Sequence, residues 1–163
     1  MSNNHDMPAR CVHRGRAAAR GFTLIEIFIA VAVVAIVAAI ALPSYAQYVT
    51  RAKSARAKVD IARINLGIEK FYTGSGQYPQ TLADVHLDQI MDPWGQPYVY
   101  YNIAVNGKGH ARKDHALNPL NRDFDLYSMG PDGQTKPQIT QKDSLDDIIR
   151  ANDGAFIGIA ADF

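Results

Sequence analysis

The stretch that decides the fold is Gly21–Tyr45, GFTLIEIFIAVAVVAIVAAIALPSY. Between Phe22 and Leu42 the only polar side chains are those of Thr23 and Glu26. Because an α-helix rises about 1.5 Å per residue, an apolar run of this length spans a hydrocarbon core about 30 Å thick. The apolar core of a removable signal peptide is usually only about 7 to 15 residues long. We therefore predict that residues 22–42 form a retained membrane span.

Glu26 is the unusual residue of this span. A charged carboxylate inside lipid costs about 3 kcal/mol, and such residues are normally kept where they have a partner or a task. We therefore predict that Glu26 is a functional residue.

Two alternatives to a retained, functional anchor stay open. Ala39-Ile40-Ala41 is an A-x-A pattern, so a signal peptidase cut after Ala41 would release a soluble secreted domain. A generic single-span anchor, in which Glu26 has no task, fits the length of the run as well. In that case the rest of the chain would be a membrane-anchored binding or enzymatic domain.

The residues ahead of the span are polar and basic. They contain Arg10, Arg14, Arg16 and Arg20 against a single acid, Asp6. This composition predicts a leader and not a folded element. The only cysteine of the chain also lies in this segment, so a chain without its leader would contain no disulfide.

The charge balance argues against a nucleic-acid partner. Of the 17 basic and 16 acidic residues, the leader holds four and one, which leaves 13 basic and 15 acidic residues after its removal. No basic surplus remains, and we predict no binding to nucleic acid. The segment RAKSARAK, residues 51–58, carries as many positive charges as the leader. The positive-inside rule therefore does not set the orientation of the span, and we interpret this segment as a solvated helix face.

Residues 44–72 are predicted to form an amphipathic helix that continues the span. They contain no proline, one glycine and many Ala, Lys, Arg and Leu residues, which favours a helix. Ile61, Ile64, Ile68 and Phe71 recur at spacings of three and four, and this apolar stripe should cover a sheet. Pro43 has no amide hydrogen, so we expect it to kink or locally melt the helix.

The C-terminal part is predicted to be a small β-rich domain. Its turn and strand signals follow one another along the chain: a flexible helix end at 73–76, a short helical turn at 81–85, a turn at 92–95, a β-rich run at 98–105, a hairpin signal at Asn106-Gly107, a loop at 118–122 and a strand at 124–128. In the last strand, Phe124, Leu126 and Ser128 are predicted to share one face.

The N-terminus resembles that of type IV pilins and of the pseudopilins of type II secretion. The resemblance rests on a basic segment ending in Gly21, then Phe-Thr-Leu-Ile-Glu, then an apolar helix with Pro43 near the membrane edge. It implies that a prepilin peptidase cuts between Gly21 and Phe22 and methylates the new terminal amine of Phe22. It also implies that the Glu26 carboxylate pairs with the terminal amine of a neighbouring subunit. Two charges that are each costly in lipid become less so together.

The C-terminal part is similar to the globular part of the major pseudopilins of type II secretion. The similar segments are Tyr78-Pro79, DPWGQPYVY from Asp92 and FDLYSMGPDG from Phe124, and they occur in the order of the family. Many type IV pilins instead close a C-terminal loop with a cysteine pair, which this chain lacks after its leader. The resemblance therefore favours a pseudopilin over a pilin.

A calcium site is implied by the same resemblance. In major pseudopilins this region binds calcium through carboxylates and main-chain carbonyls, and the matching positions are Asp132, Asp146, Asp147 and the carbonyl of Met129. Hard oxygen ligands suit calcium, which takes 6 to 8 of them. From the residues alone, Asp132 also fits an ordinary turn, and Ser144 also fits a helix N-cap followed three residues later by an acid.

The sequence departs from the family pattern after Gly133. TKPQITQKD, residues 135–143, stands where the family has a glycine-rich loop, and the chain continues through RANDGAFIGIAADF, residues 150–163. In this tail Asn152-Asp153-Gly154 predicts a turn. The apolar residues Phe156, Ile157 and Ile159 predict either a last strand or a subunit contact.

No catalytic set can be recognised. His86, His110 and His115 are dispersed and lack the spacing of metal ligands. There is no phosphate-binding or dinucleotide-binding motif and no arrangement of a nucleophile with a base. We therefore predict that the chain is not an enzyme.

These observations predict an α+β fold in which a long N-terminal helix packs on a small antiparallel sheet, as in pilins. The predicted parts are a cleaved leader at 1–21, a helix at 22–73 and a globular domain at 74–163. The resemblance implies a structural subunit of a periplasmic pseudopilus that helps drive type II secretion. It implies self-assembly into a helical homopolymer, minor pseudopilins and an inner-membrane assembly platform as partners, and a single-pass inner-membrane protein with a periplasmic C-terminal domain. A type IV pilin for adhesion, motility or DNA uptake is the alternative.

Overall fold

The computed structural model describes residues 21–163. The basic segment of the predicted leader, with its arginines and its cysteine, lies outside the described residues. The described chain consists of two compact units, one ending at Leu42 and the other running from Pro43 to Phe163. Each unit is described by itself.

Helix α1 runs from Leu24 to Ser75, close to the predicted bounds. It is the one helix among the described residues that is long and apolar enough to cross a membrane. Pro43 lies within it and does not end it, so the predicted local melting at this position is not observed. The helix ends where Gly76 adopts a φ of 73° and its amide donates to the carbonyl of Tyr72 at 2.8 Å. Glycine reaches this left-handed conformation without steric cost.

The C-terminal unit contains a four-stranded antiparallel sheet in the order β1-β2-β3-β4. Its remaining elements are listed in chain order: β1 (Val99–Asn102), α2 (Ile103–Asn106), β2 (Phe124–Ser128), β3 (Ile148–Ala151) and β4 (Phe156–Ile159). Short 3-10 turns occur at Leu82–Val85, Lys142–Ser144, Asn152–Gly154 and Ala160–Asp162. Each strand pairs with the strand that precedes it in sequence, as in the pairs Tyr100 with Leu126 and Ile149 with Gly158.

The α1 segment of this unit covers one face of the sheet. Ile61, Ile64 and Ile68 are fully buried and pack in one cluster with Phe124 and Leu126, so the predicted apolar stripe is confirmed. A second cluster on the other side of the sheet consists of Leu120, Ile139, Ile149, Ala151 and Ala160. The α+β prediction, a long helix packed on a small antiparallel sheet, is confirmed.

Several local predictions are confirmed. Strand β2 has the predicted bounds, and the predicted last strand is β4. The turn that starts at Asp92 is closed by a hydrogen bond from the Gly95 amide to the Asp92 carbonyl at 3.0 Å. The predicted turn at residues 152–154 joins β3 to β4.

Two local predictions are wrong. Asn106-Gly107 ends the helical turn α2, in which the Asn102 side chain caps the Val105 amide at 3.1 Å, and it does not close a hairpin. Ser144 is the last residue of a 3-10 turn and not the N-cap of a following helix. Its hydroxyl instead accepts from the Lys136 amide at 2.7 Å and donates to the Lys136 carbonyl at 3.0 Å. In the first case a local cap by Asn102 starts a helical turn, and in the second a backbone partner eight residues away engages the hydroxyl.

A buried arginine ties the helix to the sheet. Arg150, in β3, donates to Asp123 at 2.7 Å and to the side-chain oxygen of Asn65 in α1 at 2.6 Å. Its guanidinium lies over the ring of Phe124, 3.9 Å from the centroid. A charge that is this deeply buried is tolerated because its donors are paired.

Candidate functional site

The predicted processing site lies just ahead of α1. Gly21 and Phe22 precede the first helical residue, and Phe22 is 82% exposed. No described atom lies within 4 Å of the position that a Cβ on Gly21 would occupy. The Gly21–Phe22 peptide bond lies ahead of the helix, so cutting it does not require α1 to unfold.

The predicted assembly residue Glu26 caps its own helix. Its carboxylate accepts from the Thr23 amide at 2.8 Å and from the Thr23 hydroxyl at 2.7 Å. In return the Thr23 hydroxyl accepts from the Glu26 amide at 3.3 Å. This reciprocal arrangement is a capping box, which satisfies amides at a helix start. The sequence carries the signal for this capping box as T-x-x-E at positions 23–26.

The apolar part of α1 is available for contacts outside the chain. Phe22, Leu24, Phe28, Val34 and Ile40 are each more than 60% exposed. In the C-terminal unit the solvent side of α1 adds further exposed apolar side chains, namely Tyr45, Tyr48, Val59 and Leu66. Exposed apolar surface of this kind marks contact with a membrane or with other protein chains.

The four predicted calcium ligands occupy different environments. Asp132 is exposed, and its carboxylate accepts from the Gln134 amide at 2.8 Å, which closes its own turn. Asp146 is half-buried, and burial, together with the nearby charges of Asp132 and Asp143, raises the pKa of its carboxyl. Met129 follows β2 directly.

Gly130 brings the predicted calcium loop close to Asp146. It has a φ of 67°, and a Cβ at this position would lie 2.6 Å from the carbonyl oxygen of Asp146. Only glycine fits both the backbone conformation and the space. This close approach places Asp132 and Asp146 near each other.

The side chain of Asp147 is buried against Arg112 and Thr135. It is fully buried, and its Oδ2 accepts from Arg112 Nη2 at 2.6 Å and from the Thr135 hydroxyl at 2.7 Å. Burial raises the pKa of Asp147, and Arg112 and Thr135 oppose this shift. Sequence reasoning missed Arg112 because nothing in the local pattern ARKDH indicates a buried arginine 35 residues away from its partner.

The predicted ligands therefore do not fit a single calcium ion. A guanidinium already neutralises the Asp147 carboxylate, and a divalent cation beside it would face a like charge. Within residues 21–163 no group of three or more His, Cys, Asp or Glu side chains is arranged to hold a metal ion.

Comparison with family models gives two matches. Residues 16–42 match the prokaryotic N-terminal methylation motif. Residues 43–117 match a model described as the type IV minor pilin ComP, DNA uptake sequence receptor.

Curated relatives include pseudopilins and pilins. The chain is 31% identical to the type II secretion system core protein G of Pseudomonas aeruginosa over 135 residues, which cover 70% of this chain and 84% of that protein. It is 24% identical to the protein of the same name from Pectobacterium carotovorum, over 70% of this chain and 77% of that protein. It is 28% identical to a fimbrial protein of Neisseria meningitidis, over 87% of this chain and 85% of that protein.

No solved structure matches the chain significantly. The methylation motif covers the segment that holds Gly21, Phe22 and Glu26, and the similarity to core protein G extends over most of the chain. The long helix packed on an antiparallel sheet agrees with both findings. The chain belongs to the family of type IV pilins and type II secretion pseudopilins.

Proposed function

We propose that the chain is a structural subunit of the pseudopilus of a type II secretion system. The observation that carries this proposal is the similarity to core protein G over 70% of the chain, combined with the methylation motif at residues 16–42. The subunit performs no chemistry itself. It supports protein export by assembling into a short fibre that acts as a piston or ratchet.

Processing is the first step of the proposed function. A prepilin peptidase cuts between Gly21 and Phe22 and methylates the new terminal amine of Phe22. The exposure of this peptide bond ahead of α1 supports the assignment. Removal of the leader places a positively charged amine only four residues ahead of Glu26, at the edge of the apolar span.

Assembly follows through the N-terminal helix. The Glu26 carboxylate, which caps its own helix in the single chain, pairs with the terminal amine of a neighbouring copy in the fibre. An ammonium and a carboxylate that meet in lipid avoid the cost that each would carry alone. Pro43 lets the helix adapt where the span ends. Minor pseudopilins and an inner-membrane assembly platform complete the set of partners.

The proposed location is the inner membrane, with residues 22–42 in the bilayer and the C-terminal unit in the periplasm. The exposed apolar helix supports the anchor. The orientation rests on the family, because basic residues lie on both sides of the span.

The test of this proposal is intact mass and N-terminal sequencing of the membrane-extracted chain, with and without prepilin peptidase. We expect a chain that begins at N-methylated Phe22 only when the peptidase is present. An uncut chain, or one that begins after Ala41, would contradict the proposal. Deletion of the gene should then abolish protein secretion and leave twitching motility intact.

A type IV pilin that takes part in DNA uptake is the second candidate. The match of residues 43–117 to the model of a DNA uptake sequence receptor favours it. The excess of acidic over basic residues after the leader opposes it. Retardation of labelled double-stranded DNA by the detergent-solubilised chain at low salt, together with loss of transformation on deletion, would favour this candidate over the pseudopilin.

A further inference from the structure

Asp147, one of the predicted calcium ligands, is bonded to an arginine. We propose that in this chain the buried ion pair of Arg112 and Asp147 closes the C-terminal loop, residues 129–147, in place of a calcium ion. The folded state is then independent of calcium.

The geometry of the pair is that of a structural lock. Arg112 is 4% exposed and Asp147 is 0% exposed, and Arg112 Nη2 lies 2.6 Å from Asp147 Oδ2. The Thr135 hydroxyl contacts both partners, since it accepts a hydrogen bond from Arg112 Nη1 and donates one to Asp147 Oδ2 at 2.7 Å. The guanidinium also lies over the ring of Tyr127, 4.4 Å from the centroid. A planar guanidinium stacked on an aromatic ring and paired with a carboxylate is held in one orientation.

The pair joins three segments that are distant in sequence. On one side the Arg112 amide donates to Asp125 in β2 at 2.6 Å. The neighbouring Lys113 exchanges backbone hydrogen bonds with the 135–143 segment, donating to Pro137 at 2.8 Å and accepting from Ile139 at 3.0 Å. On the other side Asp147 directly precedes β3, and its carbonyl accepts from the Ala160 amide at 2.8 Å.

The segment TKPQITQKD supplies the rest of the closure. Thr135 is the first residue of this segment and hydrogen-bonds to the ion pair. Ser144, directly after the segment, forms two hydrogen bonds with the backbone of Lys136. The segment that departs from the family pattern in sequence is therefore the one that carries the loop-closing hydrogen bonds. A loop closed by side chains at both ends does not need an ion to define its path.

Two buried atoms without a hydrogen-bond partner point to the same conclusion. These are Arg112 Nε and Asp147 Oδ1, one on each side of the pair. A bidentate pairing of Nε with Oδ1 would satisfy both atoms within the pair. A calcium ion at Oδ1 would satisfy only the oxygen and leave Nε unpaired beside a second positive charge.

The remaining acids do not make up a calcium site by themselves. Calcium takes 6 to 8 oxygen ligands. One carboxylate oxygen of Asp132 is held by the Gln134 amide at 2.8 Å. Because Arg112 holds Asp147, Asp146 is the one carboxylate of the predicted set that remains besides Asp132.

The experiment measures the thermal midpoint of the detergent-extracted full chain in excess calcium chloride and in EGTA. We expect the two midpoints to agree within about 2 °C. In either buffer Arg112→Met and Asp147→Asn should each lower the midpoint by roughly 10 °C, because each leaves a buried charge unpaired. The double variant should lose less than the sum of the two single losses.

Arg122 provides the matched control. It forms an ion pair of similar length with Asp153, 2.7 Å, but its side chain is 89% exposed. Arg122→Met should therefore shift the midpoint by no more than about 3 °C.

Three results would overturn the proposal. One is a rise of more than about 5 °C in the wild-type midpoint on adding calcium that Asp146→Asn abolishes. Another is additive losses in the double variant. The third result applies if the Arg112 and Asp147 variants do not fold. In that case the wild-type chain is dialysed to equilibrium against labelled calcium, and we expect no bound ion. One bound ion per chain would refute the proposal that the ion pair replaces calcium.

Discussion

Thr23 and Glu26 satisfy each other at the start of α1, with Glu26 accepting at 2.8 and 2.7 Å and Thr23 returning one bond at 3.3 Å. Glu26, which we propose pairs with a neighbouring subunit, is therefore also a helix cap within a single chain. Pairing with the amine of another subunit has to compete with this internal bond. Capping needs only a hydrogen-bond acceptor at this position, whereas pairing with an ammonium needs a negative charge.

The two roles of Glu26 can be separated by mutation. Glu26→Gln keeps the capping hydrogen bonds but removes the charge, whereas Thr23→Ala removes the cap but keeps the charge. We expect Glu26→Gln to remain in the membrane and to be absent from fibres, because a neutral amide cannot compensate an ammonium in lipid. Thr23→Ala should still assemble. Shearing and immunoblotting of fibres measures both, and normal fibres from Glu26→Gln would refute charge pairing.

Gly130 should be far less tolerant of a side chain than Gly76. Both have positive φ values, 67° and 73°, so each Gly→Ala change carries a conformational cost of about 1–2 kcal/mol. Only at Gly130 would the new Cβ also lie 2.6 Å from a backbone oxygen, whereas nothing lies within 4 Å at Gly76. We expect Gly130→Ala to cost at least about 2 kcal/mol more than Gly76→Ala. Thermal unfolding of the two variants side by side checks this difference, and equal losses would contradict the close approach to Asp146.

Ile64 and Leu66 lie two residues apart on α1 and differ in burial. Ile64 is 0% exposed in the core, whereas Leu66 is 69% exposed. Ile64→Ala should destabilise the fold by about 2–5 kcal/mol because it leaves a cavity, and Leu66→Ala should change stability by no more than about 0.5 kcal/mol. Denaturant unfolding in detergent measures both. A large loss for Leu66→Ala in the monomer would mean that this face of α1 is covered.

Asp125 should make the fold more stable at mildly acidic pH. Burial raises the pKa of its carboxyl, against hydrogen bonds from Asn121 and Arg112 and the positive charge of Arg112, while the charge of Asp123 adds to the rise. An acid with a raised pKa in the folded state binds its proton more readily there than in the unfolded chain. Its contribution to the free energy of unfolding therefore increases as pH falls from neutral through the folded pKa, and levels off below the unfolded value of about 3.9.

The measurement is the free energy of unfolding from pH 7 to pH 4.5 for the wild type and for Asp125→Asn. We expect the wild type to gain more stability over this range than the variant does. The difference in slope is the relevant quantity, because the amide also disturbs the hydrogen bond to the Arg112 backbone. Asp88→Asn, at an exposed acid, is the control. Equal slopes for all three chains would contradict a raised pKa at Asp125.

The elements that sequence patterns could predict are those in which local signals and the tertiary environment agree. The isoleucines at positions 61, 64 and 68 recur with helical spacing and are buried accordingly. Strand β2 has the predicted bounds, although four of its five residues are buried. The helical stripe reflects one buried face, which is the strongest signal that a sequence carries.

The site around Asp147 could not be predicted for a physical reason. The partner of its carboxylate is Arg112, whose own segment is irregular and whose burial depends on Tyr127 and Thr135. No periodicity relates these residues, and the resemblance to a calcium-binding loop suggested calcium, not an arginine, as the partner of the Asp147 carboxylate. Strand β3 was missed for a similar reason, since its centre holds the charged Arg150, which is buried only because Asp123 and Asn65 pair with it.

The sequential order of the strands has a consequence for how the subunit is made. Each strand after β1 pairs with its predecessor, so contact order within the sheet is low and pairing can follow the direction in which the chain emerges during synthesis. Contacts between the sheet and α1 span longer stretches of sequence, since Ile64 packs in one cluster with Phe124 of β2 and Arg150 of β3 donates to Asn65, 85 residues earlier. The sheet therefore forms through pairings of neighbouring strands, whereas its attachment to the helix joins residues far apart in the chain, which makes that attachment the slower step in maturation of the subunit.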